Sequence, residues 1–103
     1  MTGSWGPHTT DPDGRTVVFD AGSHLHLAQG RRGWLLDHVE AILAVVNRPD
    51  HREDDPLPGR ERFYGADFPI SGRWLRVVVD FNDGPAWVVT ALDQSNDPRL
   101  RSR

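Results

Sequence analysis

The pattern of hydrophobic and polar positions predicts one clear helix between an early strand and a group of late strands. A β-branched run at residues 16–19 predicts the first strand. Ser23 is then expected to cap a short helix that Gly30 ends. Further along, apolar residues recur at helical spacing until Pro49 stops the second helix. Its apolar stripe consists of Leu35, Val39, Ile42, Leu43 and Val46.

The second half of the chain predicts an antiparallel meander. Residues 49–59 are polar and contain three prolines, which predicts a long loop. Residues 60–65 and 73–81 predict strands, and Asn82-Asp83-Gly84 is a hairpin signal before a return strand at residues 85–92. The order predicts an α+β fold of the form β-α(α)-β-β-β. One or two helices then pack on one face of a small, mostly antiparallel sheet.

The length of 103 residues suits one domain with one core. We expect that domain to span residues 15–92. Residues 1–14 mix Gly, Pro, Thr and Asp without periodicity and predict a flexible tail. Residues 93–103 contain three arginines and predict a mobile basic tail.

Alternation along the late strands divides their side chains between two faces. The face expected under the helices contains Phe63, Leu75, Val77, Val79, Phe81, Trp87, Val89 and Ala91. The other face contains Arg60, Arg62, Tyr64, Trp74, Arg76, Val78, Asp80, Val88 and Thr90. The simple interpretation is a solvated sheet face. The alternative is an anion-binding face, on which arginines hold phosphates and Tyr64 or Trp74 stacks a base of single-stranded RNA.

Composition narrows the chemistry further. There is no cysteine, which excludes disulfides, thiol nucleophiles and Cys-ligated zinc and makes a reducing cytoplasm the default expectation. All 12 basic residues are arginine, the side chain best suited to bidentate phosphate binding, although the net charge is −3. No apolar run approaches the ~20 residues of a membrane span. The first residues also lack the pattern of a secretory signal.

The five histidines offer several candidate sites. His8 and His38 are expected to be structural or exposed. His51 lies among acidic residues of the predicted loop, where a solvated segment is favoured over a metal site because no metal-ligand spacing is present. His24 and His26 follow the first strand at the start of a helix, and their i,i+2 spacing directs at most one of them into a site.

Short motifs between residues 16 and 92 occur in a familiar order. They are His24, Arg32-Gly33, Val39 with Ile42-Leu43, Pro49, Arg62, Tyr64, Val77-Val78-Val79-Asp80 and Val88-Val89-Thr90-Ala91. This order resembles RelE-type toxins of the barnase–EndoU–colicin–RelE nuclease superfamily. The family often has an arginine one helical turn after the histidine, where this chain has Ala28.

The resemblance implies a metal-independent endoribonuclease toxin, of the toxin–antitoxin or effector type, that cleaves RNA through its own 2′-hydroxyl. No cofactor is expected. His24 would transfer the proton, Arg32 and Arg62 would clamp the phosphate, Tyr64 would assist proton transfer or stacking, and Thr90 would donate a hydrogen bond to phosphate. Further RNA contacts are expected from Arg60, Arg76 and Trp74. The expected partner is an acidic antitoxin or immunity protein that covers Arg62 and Tyr64.

Two alternatives remain open at this stage. A non-catalytic module that binds RNA or protein on the same fold is favoured by Ala28 and by the negative net charge. A hydrolase that binds a metal ion through the acidic loop is the more distant alternative. RNA cleavage that survives EDTA separates the first hypothesis from the metal-dependent one.

Overall fold

The computed structural model of the protein describes residues 6–100. Within this range the strands are β1 His8–Thr10, β2 Thr16–Val18, β3 His51–Asp54, β4 Arg60–Ala66, β5 Trp74–Asp80 and β6 Ala86–Gln94. The helices are α1 Ala21–Ala28 and α2 Val39–Asn47, with short 3₁₀ segments at Gly33–His38 and Pro98–Leu100. The helices pack with a single sheet, which confirms the predicted α+β class.

The sheet has the strand order β1-β2-β6-β5-β4-β3. The β2–β6 pair is parallel and the other pairs are antiparallel, so the sheet is mostly antiparallel as predicted. The predicted β5–β6 hairpin is present. The described sheet contains six strands, whereas the sequence predicts four, because two short polar strands extend its edges.

Both additional strands lie where the sequence predicts irregular chain. β1 lies in the predicted tail of residues 1–14, and β3 lies in the predicted loop of residues 49–59. Each is an edge strand that pairs through its main chain, so neither needs the apolar alternation that marks an inner strand. The predicted C-terminal tail is also wrong in part, because β6 runs to Gln94 and a 3₁₀ segment follows. Residues 1–5 and 101–103 lie outside the described residues.

A β-bulge in β6 changes the predicted faces of that strand. Val78 pairs with Thr90, but the next residue, Val79, pairs with Val88, so Val89 is the extra residue. Val88 therefore lies in the hydrophobic core, and Trp87 pairs with Asp80 on the opposite face. The sequence places Trp87 and Val88 the other way round, and that prediction is wrong because simple alternation fails across a bulge.

The helices begin at different residues from those predicted. Asp20, not Ser23, is the N-cap of α1; its Oδ1 accepts from Ser23 N at 3.0 Å, and Ser23 Oγ accepts from Asp20 N at 3.1 Å. Gln29 is the C-cap, so the helix ends immediately before Gly30, as predicted. The predicted long helix is divided into the 3₁₀ segment Gly33–His38 and α2.

Helix α2 fills one face of the sheet. Ile42 and Val46 from α2 are fully buried with Phe63 and Val77 of the central strands. Each such side chain contributes about 1.5–3 kcal/mol relative to exposure. The helix lies so close to β4 that a Cβ on Gly65 would be 2.5 Å from Val45 Cγ2.

Ion pairs connect the turn between β1 and β2 to strands on the far side of the sheet. Arg15 binds the buried Asp11 and reaches Glu61 of β4 at 3.0 Å, and its guanidinium lies 3.7 Å from the centre of the Phe81 ring. Arg52 of β3 binds Glu61 at 3.0 Å. The sheet is therefore curled, and charged contacts close the curl around α2.

Replacing Gly65 by alanine tests the close approach of α2 to β4. We expect Gly65→Ala to lower the free energy of unfolding by about 1–3 kcal/mol, because the new methyl group overlaps Val45. The double variant Gly65→Ala/Val45→Ala should recover part of that loss in urea unfolding. The exposed Gly30→Ala variant, whose Cβ has no neighbour nearer than 4.0 Å, is the control. Strictly additive effects at residues 65 and 45 would contradict the contact.

The pH dependence of the free energy of unfolding tests the ion pairs that Arg15 and Arg52 form with Glu61. Burial alone would raise the pKa of Glu61, but hydrogen bonds from Arg15 and Arg52 outweigh it, and the pKa is lowered. The stabilisation is therefore present above the ordinary pKa of a glutamate and is lost as the pH falls through the lowered pKa of the folded state. We expect Glu61→Gln to cost about 1–2 kcal/mol in urea unfolding at pH 7 and much less at pH 3. Glu40→Gln, on the exposed start of α2, should change neither value; an equal loss at both pH values for Glu61→Gln would overturn this account.

Candidate active site

Most of the predicted site residues lie together on the face of the sheet opposite α2, which we call the second face. Strand pairing places side chains of β3, β4, β5 and β6 on this face in register. The predicted residues found there are Arg60, Arg62, Tyr64, Trp74, Arg76 and Thr90. The polar face that strand alternation predicts is therefore confirmed for β4 and β5.

His24 and Arg32 do not join this group. His24 borders a cavity of about 460 Å³ with Pro7, Phe19 and Val39, on the side of the molecule where α2 begins. Arg32 is exposed and precedes the 3₁₀ segment Gly33–His38, where its carbonyl accepts from Leu35 N at 2.9 Å. The predicted combination of His24 and Arg32 with the strand residues is thus not assembled in this structure.

His26, rather than His24, is directed towards a residue of the second face. Its ring centre lies 6.1 Å from that of Trp87, which pairs with Asp80 on that face. Residues at positions i and i+2 of an α-helix are separated by about 200° of rotation, so the side chains of His24 and His26 point in nearly opposite directions. Helix α1 also buries Leu27 in the core, which fixes that rotation.

Glu53 connects two titratable groups on the second face. Tyr64 Oη donates to Glu53 Oε2 at 3.0 Å, and His51 Nε2 lies 3.1 Å from Glu53 Oε1. Arg62 lies beside them, with Nη1 3.6 Å from Glu53 Oε2. The side chain of His51 is 27% exposed, whereas Tyr64 is fully buried, so a ligand reaches the imidazole but not the phenol ring.

Arg62 is held in place by a second carboxylate. Its Nε donates to Asp55 Oδ1 at 2.8 Å. Burial alone would raise the pKa of Asp55, but hydrogen bonds from Leu57 N and Arg62 lower it on balance. Burial likewise opposes the charge of Arg62, yet hydrogen bonds with Asp55 and Tyr64 raise its pKa. The guanidinium is therefore fixed in its charged form beside His51 and Glu53.

The other arginines of the second face also have protein partners. Arg60 Nε donates to Asp80 Oδ2 at 3.1 Å, and Arg76 Nε donates to Gln94 Oε1 at 3.0 Å. An incoming phosphate must compete with these partners, so the face is less cationic than its arginines alone indicate. Thr90 is half-buried and lies opposite Val78 in the middle of the face.

His51 and Glu53 lie in a segment for which the sequence predicts a loop, so neither is among the predicted site residues, whereas the structure places both on strand β3. One signal was available: His51, Glu53 and Asp55 alternate, which places them on one face if the segment is extended. The same alternation directs Asp54 to the other face, opposite Glu61. Within residues 6–100 no group of three histidine or carboxylate side chains is arranged to hold a metal ion. The acidic segment thus gives the metal-dependent alternative no geometric support.

No protein-family model, curated protein or solved structure matches this chain. None of the helices among the described residues is long and apolar enough to cross a bilayer.

A double-mutant cycle tests the Tyr64–Glu53 hydrogen bond. We expect Tyr64→Phe to lower the free energy of unfolding by about 1–3 kcal/mol, since it removes one hydrogen-bond donor from a partly buried carboxylate. In a Glu53→Gln background the loss should be smaller by about 0.5 kcal/mol or more. Asp54→Asn, on the opposite side of β3, provides the matched background in which the two effects should simply add. Additivity in the Glu53→Gln background would mean that the bond contributes nothing.

Proposed function

We propose that the protein cleaves RNA without a metal ion, with His51, Glu53 and Arg62 as the reacting and binding groups. The observation that carries this proposal is the position of Glu53, which contacts His51 and Tyr64 while Arg62 lies alongside. A carboxylate that orients an imidazole next to a fixed cation is the arrangement needed for proton transfer beside a phosphate.

In this mechanism His51 moves the proton. Glu53 holds Nε2, and no hydrogen bond to Nδ1 is present among residues 6–100. Nδ1 takes the proton from the 2′-hydroxyl as that oxygen attacks phosphorus. The bond from phosphorus to the 5′-oxygen then breaks, and the leaving oxygen receives the proton from His51. The products are a 2′,3′-cyclic phosphate and a 5′-hydroxyl end.

Arg62 supplies the positive charge in this scheme. Negative charge grows on the non-bridging phosphate oxygens as the 2′-oxygen attacks, and a preorganised cation stabilises it. Tyr64 acts as a positioning residue, because its buried hydroxyl donates to Glu53 Oε2 while His51 contacts Oε1 of the same carboxylate. Thr90 lies on the same face but two strands from Arg62, so in this scheme its hydroxyl contacts an adjoining part of the RNA and not the reacting phosphate.

The resemblance to RelE-type toxins supports the same class of reaction, with the histidine supplied by β3 instead of α1. An acidic antitoxin or immunity protein that covers Arg62 and Tyr64 belongs to this proposal, as does action in the cytoplasm. Both follow from the proposed activity.

A non-catalytic RNA-binding module is the second candidate. It is favoured by the partners of Arg60 and Arg62, since each guanidinium is paired with a carboxylate. On such a face an RNA phosphate must displace Asp80 or Asp55 from its arginine, which weakens binding.

RNA cleavage in EDTA tests the proposal directly. We expect the wild-type protein to release fragments that end in a 2′,3′-cyclic phosphate from a mixed-sequence RNA. His51→Gln should reduce the rate by about 10²–10⁴-fold, because it removes the group that transfers the proton.

His24→Gln separates the structural assignment from the one made from the sequence. The His24→Gln variant should cleave RNA at the wild-type rate. An undiminished rate of cleavage by the His51→Gln variant would remove His51 from the mechanism. The absence of cleavage of any RNA, together with micromolar RNA binding, would replace the proposal with the binding module.

A further inference from the structure

Trp74 is buried on the second face by a segment that follows the last strand. Its side chain lies on the same face as Arg76, yet the residue is only 5% exposed. The guanidinium carbon of Arg99 lies 4.9 Å from the centre of the indole ring, and the adjoining Pro98 is buried. Residues 95–100, which we call the C-terminal segment, therefore cover this end of the face.

The charges of the C-terminal segment are paired within the segment itself. Arg99 Nε and Nη2 donate to the two carboxylate oxygens of Asp97 at 3.0 and 2.9 Å. The hydrogen bond from Arg99 is the main cause that lowers the pKa of Asp97, and the charge of His51 lowers it further. Among residues 6–100, the side chain of Arg99 hydrogen-bonds to Asp97, and it reaches the sheet through its cation–π contact with Trp74.

A cavity lies beside this contact. It has a volume of about 510 Å³ and is lined by Arg76, Gln94, Ser95, Asn96, Asp97 and Leu100. A guanidinium, amide groups and a hydroxyl are the groups that contact nucleotide phosphates and base edges. Arg76 places this space on the face that carries His51 and Arg62, and Asp97, which binds Arg99, forms part of its wall.

We propose that Trp74 is a base-stacking subsite for single-stranded RNA and that the C-terminal segment occupies it in the absence of RNA. This inference rests on the proposed function for the choice of RNA as ligand. The planar guanidinium of Arg99 lies where a base would stack, and the carboxylate of Asp97 holds it there through two hydrogen bonds. The segment thus places a planar cation on the indole ring at the position of a base.

The competition favours RNA on energetic grounds. Stacking of one base on an aromatic ring strengthens binding by about 5- to 150-fold. An exposed cation–π contact such as that of Arg99 corresponds to only about two- to fivefold. A single stacked base therefore displaces Arg99, and removal of the Arg99 side chain should release the subsite without RNA.

The test uses the full-length Arg99→Ala variant and a fluorescein-labelled oligodeoxyadenylate of eight nucleotides. DNA lacks the 2′-hydroxyl, so binding is measured without cleavage. Anisotropy should show about two- to fivefold tighter binding by Arg99→Ala than by the wild type. The indole N–H signal of Trp74, assigned by its loss in Trp74→Phe, should exchange faster with solvent in Arg99→Ala before any oligonucleotide is added.

Arg73→Ala is the matched control, because Arg73 precedes Trp74 in the chain but forms its ion pair with Asp93. It should leave both the Trp74 signal and the affinity unchanged. Unchanged exchange of the Trp74 indole in Arg99→Ala would overturn the covering role of the segment. Faster exchange without tighter binding would overturn the stacking subsite. Neither readout depends on cleavage, so a failure of the proposed ribonuclease activity is seen separately, as an absence of RNA products.

Discussion

The packing of α2 against one face of the sheet determines where the chemistry of this protein lies. Ile42 and Val46 bury that face together with Phe63 and Val77. Because side chains alternate along a strand, burial of Phe63 directs Arg62 and Tyr64 to the opposite side. A slip of one residue in the register of β4 would place Arg62 and Tyr64 in the core and would remove the Phe63 ring from it. The hydrophobic contact with the helix therefore fixes the polar cluster.

The edges of the sheet depend on charge where they lack hydrophobic side chains. β3 carries four polar side chains, and it is stabilised by pairing with β4 and by ion pairs on both of its faces. On the helix side, Arg52 and Glu61 join Arg15 in closing the curl. On the other side, Glu53 joins His51, Tyr64 and Arg62. The candidate site is thus one half of a charged framework that also stabilises the fold.

Sequence periodicity predicted the inner strands and the apolar stripe of the helix, because those elements are defined by burial. It missed β1 and β3, because an edge strand held by its main chain needs no hydrophobic pattern. It also misplaced Trp87 and Val88, since a bulge inserts one residue without a marker in the composition. Six of the predicted site residues lie on one face of the sheet, because side chains alternate between the two faces along each strand. His24 was expected there from the resemblance, and the rotation of α1 directs it elsewhere.

The central claim is that nucleic acid binds the second face of the sheet, between β3 and the C-terminal segment. A map of backbone amide chemical shifts on addition of a non-cleavable oligodeoxynucleotide tests it most directly. The account predicts that the largest changes fall on β3, β4 and residues 95–100, with His51 and Tyr64 among them. Changes concentrated on α1 and on residues 31–38, with β3 and β4 unaffected, would contradict it.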